Sequence, residues 1–163
     1  GRAAMRRAAF TYMAEHPART SLRTLNRATS FWGFDYLASR QIQAWRGREA
    51  RAGLPTLALE AACYLAAAAL ALVTLFGLPA PRGGGRGWLA ALALAYELPY
   101  TVAFSGGTYH FPVAPLLLPL AAIAAGRPRD AWRGLRASPA ARWALALFAV
   151  IQAQYAYYAI AMS

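Results

Sequence analysis

Three arginines at four-residue spacing are the side chains of this chain best suited to chemistry. Arg19, Arg23 and Arg27 fall on one face of a helix, because steps of four return to the same side. Pro17 precedes them and favours the first turn of such a helix. Guanidinium groups bind phosphate through paired hydrogen bonds, and at a membrane surface they also attract anionic headgroups. The spacing therefore predicts either a phosphate clamp for a lipid-phosphate headgroup or simple adhesion to lipid.

A second set of polar residues lies within the apolar part of the chain. Glu97 is an ionisable residue in an apolar run, which makes it a candidate functional residue, although a hydrogen bond to a neighbouring Tyr or Gln explains it equally well. Tyr109 and His110 are typical of residues that anchor a membrane interface, and the alternative is contact with a donor or acceptor substrate. No catalytic residue is predicted, because the carboxylates form no pair. No metal site is predicted, because the chain has two histidines and one cysteine.

Composition predicts a membrane setting for these residues. The chain has 163 residues, 59% of them hydrophobic, and its net charge of +11 depends on 17 arginines without any lysine. Apolar windows long enough to cross a hydrocarbon core of roughly 30 Å recur in the second two-thirds. A soluble bundle would need a polar face on each helix, and residues 61–76 offer only Tyr64 and Thr74. An arginine-rich segment joined to apolar spans also argues against nucleic acid as a partner.

The predicted fold class is all-α, a polytopic membrane helical bundle with four transmembrane helices preceded by interfacial amphipathic helices. Short connections make the four helices antiparallel neighbours, because backbone polar groups in lipid must be satisfied within each helix. Pro119 should kink the third span and leave room for a cavity or a lipid tail between neighbouring helices. The predicted spans are residues 57–78, 88–105, 109–125 and 143–162, and the interfacial segment is residues 1–53.

The interfacial segment contains two amphipathic pieces. The first follows Pro17, and its apolar or small residues recur at alternating steps of four and three, opposite the arginines. The second runs from Asp35, a plausible helix cap, to Trp45. Such helices lie in the membrane interface with the apolar side toward the acyl chains. The seam of the first piece consists of Ala18, Leu22, Leu25, Thr29 and Trp32.

Arginine counts predict the orientation. Seven arginines in the first and third loops outnumber four in the last part of the interfacial segment, so the positive-inside rule puts these loops in the cytoplasm. Residues 1–53 and the glycines at 106 and 107 are then extracytoplasmic. Counting all ten arginines of residues 1–53 reverses the result. The prediction is a multi-pass protein of the cell inner membrane, with the bilayer as a partner. The counted arginines are Arg82, Arg86, Arg127, Arg129, Arg133, Arg136 and Arg142 against Arg40, Arg46, Arg48 and Arg51.

Two motifs carry a family resemblance. In "GGTYHFPVAPLLLPLAA", Tyr109 and Pro112 agree with a pattern of the type Arg-Tyr-x-x-Pro followed by Pro-Leu-Leu, and Thr108 stands where that pattern has arginine. In "YMAEHPARTSLRTLNRATSFWGFD", a His-Pro pair leads into a basic amphipathic helix that ends at a Phe-Trp pair. Both stretches resemble bacterial membrane glycosyltransferases related to the protein O-mannosyltransferases and the aminoarabinose transferase of lipid A.

The resemblance implies a function for the chain as part of a longer polypeptide. It implies the C-terminal region of an enzyme that moves a sugar from a polyprenyl-phosphate donor to an extracytoplasmic acceptor. The catalytic acidic residues, and a divalent cation, would belong to the missing N-terminal part, so this chain alone is expected to be inactive. The arginine absent at Thr108 is then either lost or supplied by Arg19, Arg23 or Arg27. The alternative is a non-catalytic helical membrane protein, an assembly subunit or small carrier, whose basic helix only docks on anionic lipid.

Overall fold

The computed structural model describes residues 1–34, 41–42, 44–45, 53–80, 84–102 and 112–161 of the chain. Seven helices have described bounds and the described residues include no strand, which confirms the prediction of an all-α fold. The helices are α1 (Arg2–Glu15), α2 (Pro17–Phe31), α3 (Gly53–Phe76), α4 (Arg86–Val102), α5 (Ala114–Ala125), α6 (Pro128–Ala137) and α7 (Pro139–Ala161).

A helix occupies each predicted span, but only α3 is long and apolar enough to cross a membrane among the described residues. Its segment Pro55–Phe76 has 22 residues. The described part of α4 has 17 residues and α5 has 12, so both are short for a span. α7 has 23 residues, but Gln152, Gln154 and its tyrosines make it less apolar. One membrane-spanning helix is therefore supported by length and composition, and the other three predicted spans stay predictions.

The loop before the last predicted span contains a helix that the sequence pattern does not predict. α6 begins at Pro128, with Asp130 in its first turn and Arg136 in its last, an arrangement that favours the helix dipole. α7 then begins four residues before the predicted span. The Ser138 hydroxyl accepts the N–H of Ala141 at 3.2 Å and so caps the start of α7.

The core of the bundle is built from small residues. α3 packs most extensively against α5, and small side chains allow such helices to approach closely. Thr74 is fully buried between these helices and donates from Oγ1 to the Leu120 carbonyl at 2.7 Å, so its hydroxyl is satisfied. The main core cluster comprises Phe31, Ala68, Ala71, Ala93, Val113, Leu117 and Leu120.

Side chains from α4 and the start of α7 cap the C-terminal end of α3. Arg86 donates from Nη1 to the carbonyls of Thr74 at 3.1 Å and Leu78 at 3.2 Å. Ser138 donates from Oγ to the Phe76 carbonyl at 2.7 Å. The last carbonyls of a helix have no partner within it, so these bonds satisfy them and join three chain segments at one end of the bundle. We call this end the arginine end.

Gly134 allows the backbone of α6 to approach the arginine end of α3. A Cβ at Gly134 would overlap the Gly77 carbonyl oxygen, a backbone atom that cannot move away alone. We expect Gly134→Ala to destabilise the fold by about 1 kcal/mol, because overpacking outweighs the higher helix propensity of alanine. Gly87→Ala is the matched control, since a Cβ there meets no atom within 4 Å. Thermal unfolding in detergent checks the prediction, and equal midpoints for the two variants would contradict it.

Candidate functional site

The last turns of α2 pack beside the C-terminal half of α4. Phe31 is fully buried, with its ring centroid 5.8 Å from that of Tyr100 and 6.3 Å from that of Tyr96. One turn earlier, Arg27 donates from Nη1 to the Val102 carbonyl at 2.5 Å. The guanidinium thus satisfies a carbonyl at the end of α4 and lies at the negative end of its helix dipole. This contact fixes a positive charge at the end of the bundle opposite the arginine end.

Polar side chains from α3 and α7 hold the turn that follows α2. The Trp32 carbonyl accepts hydrogen bonds from Gln152 Nε2 at 2.6 Å and from the Tyr64 hydroxyl at 2.9 Å. The Phe34 N–H donates to Gln152 Oε1 at 3.0 Å. Gln152 is buried and uses both ends of its amide on this turn. We call Trp32, Phe34, Tyr64 and Gln152 the turn clamp, and it positions the Trp32 side chain between the helices.

Glu97 lies half-buried where α4 meets Trp32. Its carboxylate accepts a hydrogen bond from Thr101 Oγ1 at 3.4 Å, and it also interacts with the Trp32 side chain, whose one donor is the indole N–H. Nearby, the hydroxyls of Tyr96 and Tyr100 share a hydrogen bond of 2.9 Å. Trp32 is therefore contacted twice, by the turn clamp at its backbone carbonyl and by Glu97 at its side chain.

An apolar cavity of about 320 Å³ lies next to Trp32, between α3, α4, α5 and α7. The exposed side chains of Leu94 and Leu147 also line it, so it opens to the outer surface of the bundle. A cavity with an apolar lining suits a hydrocarbon chain better than a polar ligand. The space exists because alanines from three helices line it, namely Ala68, Ala71, Ala90, Ala93 and Ala144.

A smaller polar groove of about 150 Å³ lies between α2 and α7. Ile151 lines both this groove and the apolar cavity, so the two are neighbours. Hydroxyl and amide groups can both donate and accept hydrogen bonds, as recognition of a polyhydroxylated ligand requires. The polar groove is lined by Asn26, Thr29, Ser30, Gln154 and Tyr155.

The structure brings Arg27 and Glu97 to the same contact between α2 and α4. Arg19 and Arg23 lie on the preceding turns of α2 and are exposed. The Arg23 guanidinium lies over the Tyr12 ring, 5.4 Å from its centroid. The predicted ridge of three arginines therefore has two exposed members and one that contacts the bundle.

The remaining predicted site residues, Tyr109 and His110, lie outside the described residues. Most of the second amphipathic piece also lies outside them, although the described residues at 41–42 and 44–45 are helical.

The predicted apolar seam of α2 is divided between two environments. Trp32 packs against the core, whereas Leu22 and Leu25 are exposed. The side chain of α2 that is fully buried is Phe31, which is adjacent to the seam but not part of it. The division arises because only the last turns of α2 enter the bundle.

The turn clamp has no signature in the local sequence pattern. Tyr64 and Gln152 were visible as polar residues within apolar runs, which is the signal that could have marked them. Their shared partner, the Trp32 carbonyl, is 32 and 120 residues away in sequence, and no local pattern specifies such a pairing.

Among the residues that the structure describes, no group of three or more His, Cys, Asp or Glu side chains could hold a metal ion. Comparison with protein-family models, curated proteins and solved structures finds no match to this chain.

Proposed function

We propose that this chain is the carrier-lipid-binding membrane region of a glycosyltransferase that uses a polyprenyl-phosphate sugar donor. The observation that carries the proposal is the apolar cavity beside Trp32, with the arginines of α2 beyond it. Trp32 is five positions after Arg27, which corresponds to about 7.5 Å along the helix axis. The hydrocarbon tail occupies the cavity and enters between Leu94 and Leu147. The phosphate lies toward Arg27, with Arg23 and Arg19 adding positive charge.

Exposed aromatic side chains support a membrane setting for the whole bundle. Trp88, Trp132 and Trp143 are 77%, 56% and 76% exposed, and all belong to the segments that meet at the arginine end. Tryptophan is enriched where membrane and water meet, because its ring suits the headgroup region. The helices also expose leucines, including Leu98 and Leu118. We therefore infer that α4, α5 and α7 cross the inner membrane together with α3, which is the one helix long and apolar enough on its own in the part of the chain that the structure describes.

The polar groove between α2 and α7 is the proposed position of the donor sugar. The reaction is displacement at the sugar C1, with the lipid phosphate as leaving group. The acidic base and a divalent cation belong to a part of the enzyme outside this chain. Here Arg27 stabilises negative charge on the departing phosphate, and Glu97 keeps Trp32 at the end of the cavity. Tyr109 and His110 remain proposed contacts to donor or acceptor.

The exposure of Arg19 and Arg23 favours a second candidate function. Exposed arginines on a surface helix attract any anionic headgroup, at about 1 kcal/mol each, without a specific ligand. Thr108 also stands where the family pattern has arginine. Both observations agree with a non-catalytic membrane protein that docks on anionic lipid. Such a protein would not distinguish polyprenyl phosphate from an ordinary anionic phospholipid.

Ligand binding to the purified chain in nanodiscs separates the two functions. We expect polyprenyl phosphate to bind more tightly than polyprenol, which lacks the phosphate, and more tightly than phosphatidylglycerol. Arg27→Gln should weaken polyprenyl phosphate binding about tenfold, since a hydrogen bond to a charged group is worth about 1.5–3 kcal/mol. Arg6→Gln, which changes an exposed arginine of α1, is the matched control. Equal binding of polyprenyl phosphate and polyprenol would exclude the phosphate site, and equal binding of phosphatidylglycerol would favour lipid docking.

A further inference from the structure

We propose that the arginine end of the bundle contains a second anion site, which binds the phosphate of an anionic phospholipid. A cavity of about 360 Å³ lies there between the end of α3, the start of α4 and α6. The cationic side chains that line it are Arg86, Arg127 and Arg133, and Asp130 is the acidic one. The 17 residues of α4 separate this cavity from Arg27 by about 24 Å, so it is distinct from the proposed donor site.

The positive charge of this cavity is only weakly compensated. Arg86 is held against the carbonyls at the end of α3, so its guanidinium is a fixed part of the wall. The ion pair of Arg133 with Asp130 is long, at 3.6 Å, and both side chains are exposed, so it is weak. The Arg127 side chain makes no hydrogen bond or ion pair with another residue that the structure describes. Two guanidinium groups are therefore available to a phosphate, which they can bind through paired hydrogen bonds.

The surroundings of the cavity indicate that the phosphate belongs to a lipid. Trp132 is on α6, which lines the cavity, and the Arg136 guanidinium lies over its ring at 4.8 Å. Trp88 and Trp143 are exposed at the same end. This step relies on the membrane setting of the proposed function, in which these tryptophans mark the headgroup level of the bilayer. A phospholipid whose phosphate is in the cavity would then have its acyl chains beside the exposed apolar side chains of the helices.

An anionic phospholipid at this position would also stabilise the bundle. The cavity is formed by the end of α3, the start of α4 and α6. The end of α3 packs on α6 at Gly77 and Gly134, and Arg86 of α4 bonds the end of α3. A ligand that binds only when these segments are assembled raises the stability of the folded state by mass action. Stability in detergent should therefore depend on the lipid that is added.

Thermal unfolding of the full chain in neutral detergent tests this inference. We expect phosphatidylglycerol to raise the midpoint by about 3–5 °C, whereas phosphatidylcholine and inorganic phosphate leave it unchanged. The double variant Arg127→Gln, Arg133→Gln should lose most of this rise. The matched control Arg6→Gln, Arg7→Gln removes the same charge from α1 and should keep it. Asp130→Asn should increase the rise, because it removes the negative charge that opposes a phosphate.

Each contrary outcome has a definite meaning. Equal effects of phosphatidylglycerol and phosphatidylcholine on the wild-type chain would overturn the inference even if the double variant does not fold. If inorganic phosphate raised the midpoint as much as phosphatidylglycerol does, the cavity would be a site for the free ion. If Arg6→Gln, Arg7→Gln lost as much of the rise as Arg127→Gln, Arg133→Gln, the effect would depend only on net charge. Polyprenyl phosphate binding should persist in Arg127→Gln, Arg133→Gln. If phosphatidylglycerol did not raise the midpoint but polyprenyl phosphate still bound, this inference would be wrong and the proposed function would not be affected.

Discussion

Gln152→Leu is expected to lower the free energy of unfolding by about 2 kcal/mol, since it costs about 1 kcal/mol to leave the part-buried Phe34 N–H without an acceptor and about 1 kcal/mol to lose a hydrogen bond to the Trp32 carbonyl. The substitution removes the acceptor of the Phe34 N–H and one of the two donors to the Trp32 carbonyl. Tyr64 still bonds that carbonyl, so the loss concentrates on Phe34. Polyprenyl phosphate binding should also fall, because Trp32 would no longer be held at the end of the cavity.

Gln154→Leu is the matched control for this variant. It makes the same chemical change two residues further along α7, where the amide contacts Asn26 Oδ1 at 3.4 Å near the surface. We expect a change of no more than about 0.5 kcal/mol, as for most surface substitutions. Chemical denaturation of the two variants in detergent compares them. Similar losses for both, or no loss for Gln152→Leu, would show that the turn clamp does not hold α2 in the bundle.

Ala90→Phe is expected to reduce the affinity for polyprenyl phosphate about 100-fold. Ala90 lines the apolar cavity, and a phenyl ring there occupies space that the hydrocarbon tail requires. Excluding about four methylene groups from burial costs roughly 3 kcal/mol at about 0.8 kcal/mol each. Ala91→Phe adds the same ring on the adjacent, exposed face of α4, where it does not line the cavity, and should leave the affinity unchanged.

A short alkyl phosphate makes the cavity experiment specific for the tail. It has too little hydrocarbon to fill the cavity, so Ala90→Phe and Ala91→Phe should bind it alike. Ligand titration in nanodiscs measures all four combinations. If Ala90→Phe binds polyprenyl phosphate as the wild type does, the tail does not occupy this cavity.

The parts of the fold that the sequence predicted are those with a local signal. Pro17 and the arginine spacing predicted the helix that became α2, and an uninterrupted apolar run predicted α3. α6 has no such run, and its basic residues with Gly134 are typical of a loop. α6 is stabilised instead by tertiary contact, because Gly134 packs on the backbone of Gly77.

The candidate site was predictable in its residue types but not in its pairings. Pro119 was expected to make its helix leave room for a cavity. That helix, α5, does line a cavity through Leu116, Leu117 and Leu120. Most of the space, however, arises where alanines of other helices face each other, and helical periodicity does not specify which faces meet. Arg27 was predicted to bind phosphate or anionic lipid headgroups, and its bond to the end of α4 depends on packing between segments 75 residues apart.

The proposed function requires that the bundle is embedded in the inner membrane, with α2 outside and the arginine end in the cytoplasm. Single cysteines at Ser21, Gly84 and Ala140, all exposed positions, can be introduced after Cys63 is replaced by alanine. Ser138 is unsuitable as a labelling position, because its hydroxyl caps two helices.

Labelling of these cysteines with a membrane-impermeant maleimide in intact bacterial cells tests this orientation of α2 and the arginine end. We expect Ser21→Cys to react in intact cells, and Gly84→Cys and Ala140→Cys to react only after the membrane is permeabilised. The reverse pattern, or equal labelling of all three positions in intact cells, would contradict the proposed arrangement.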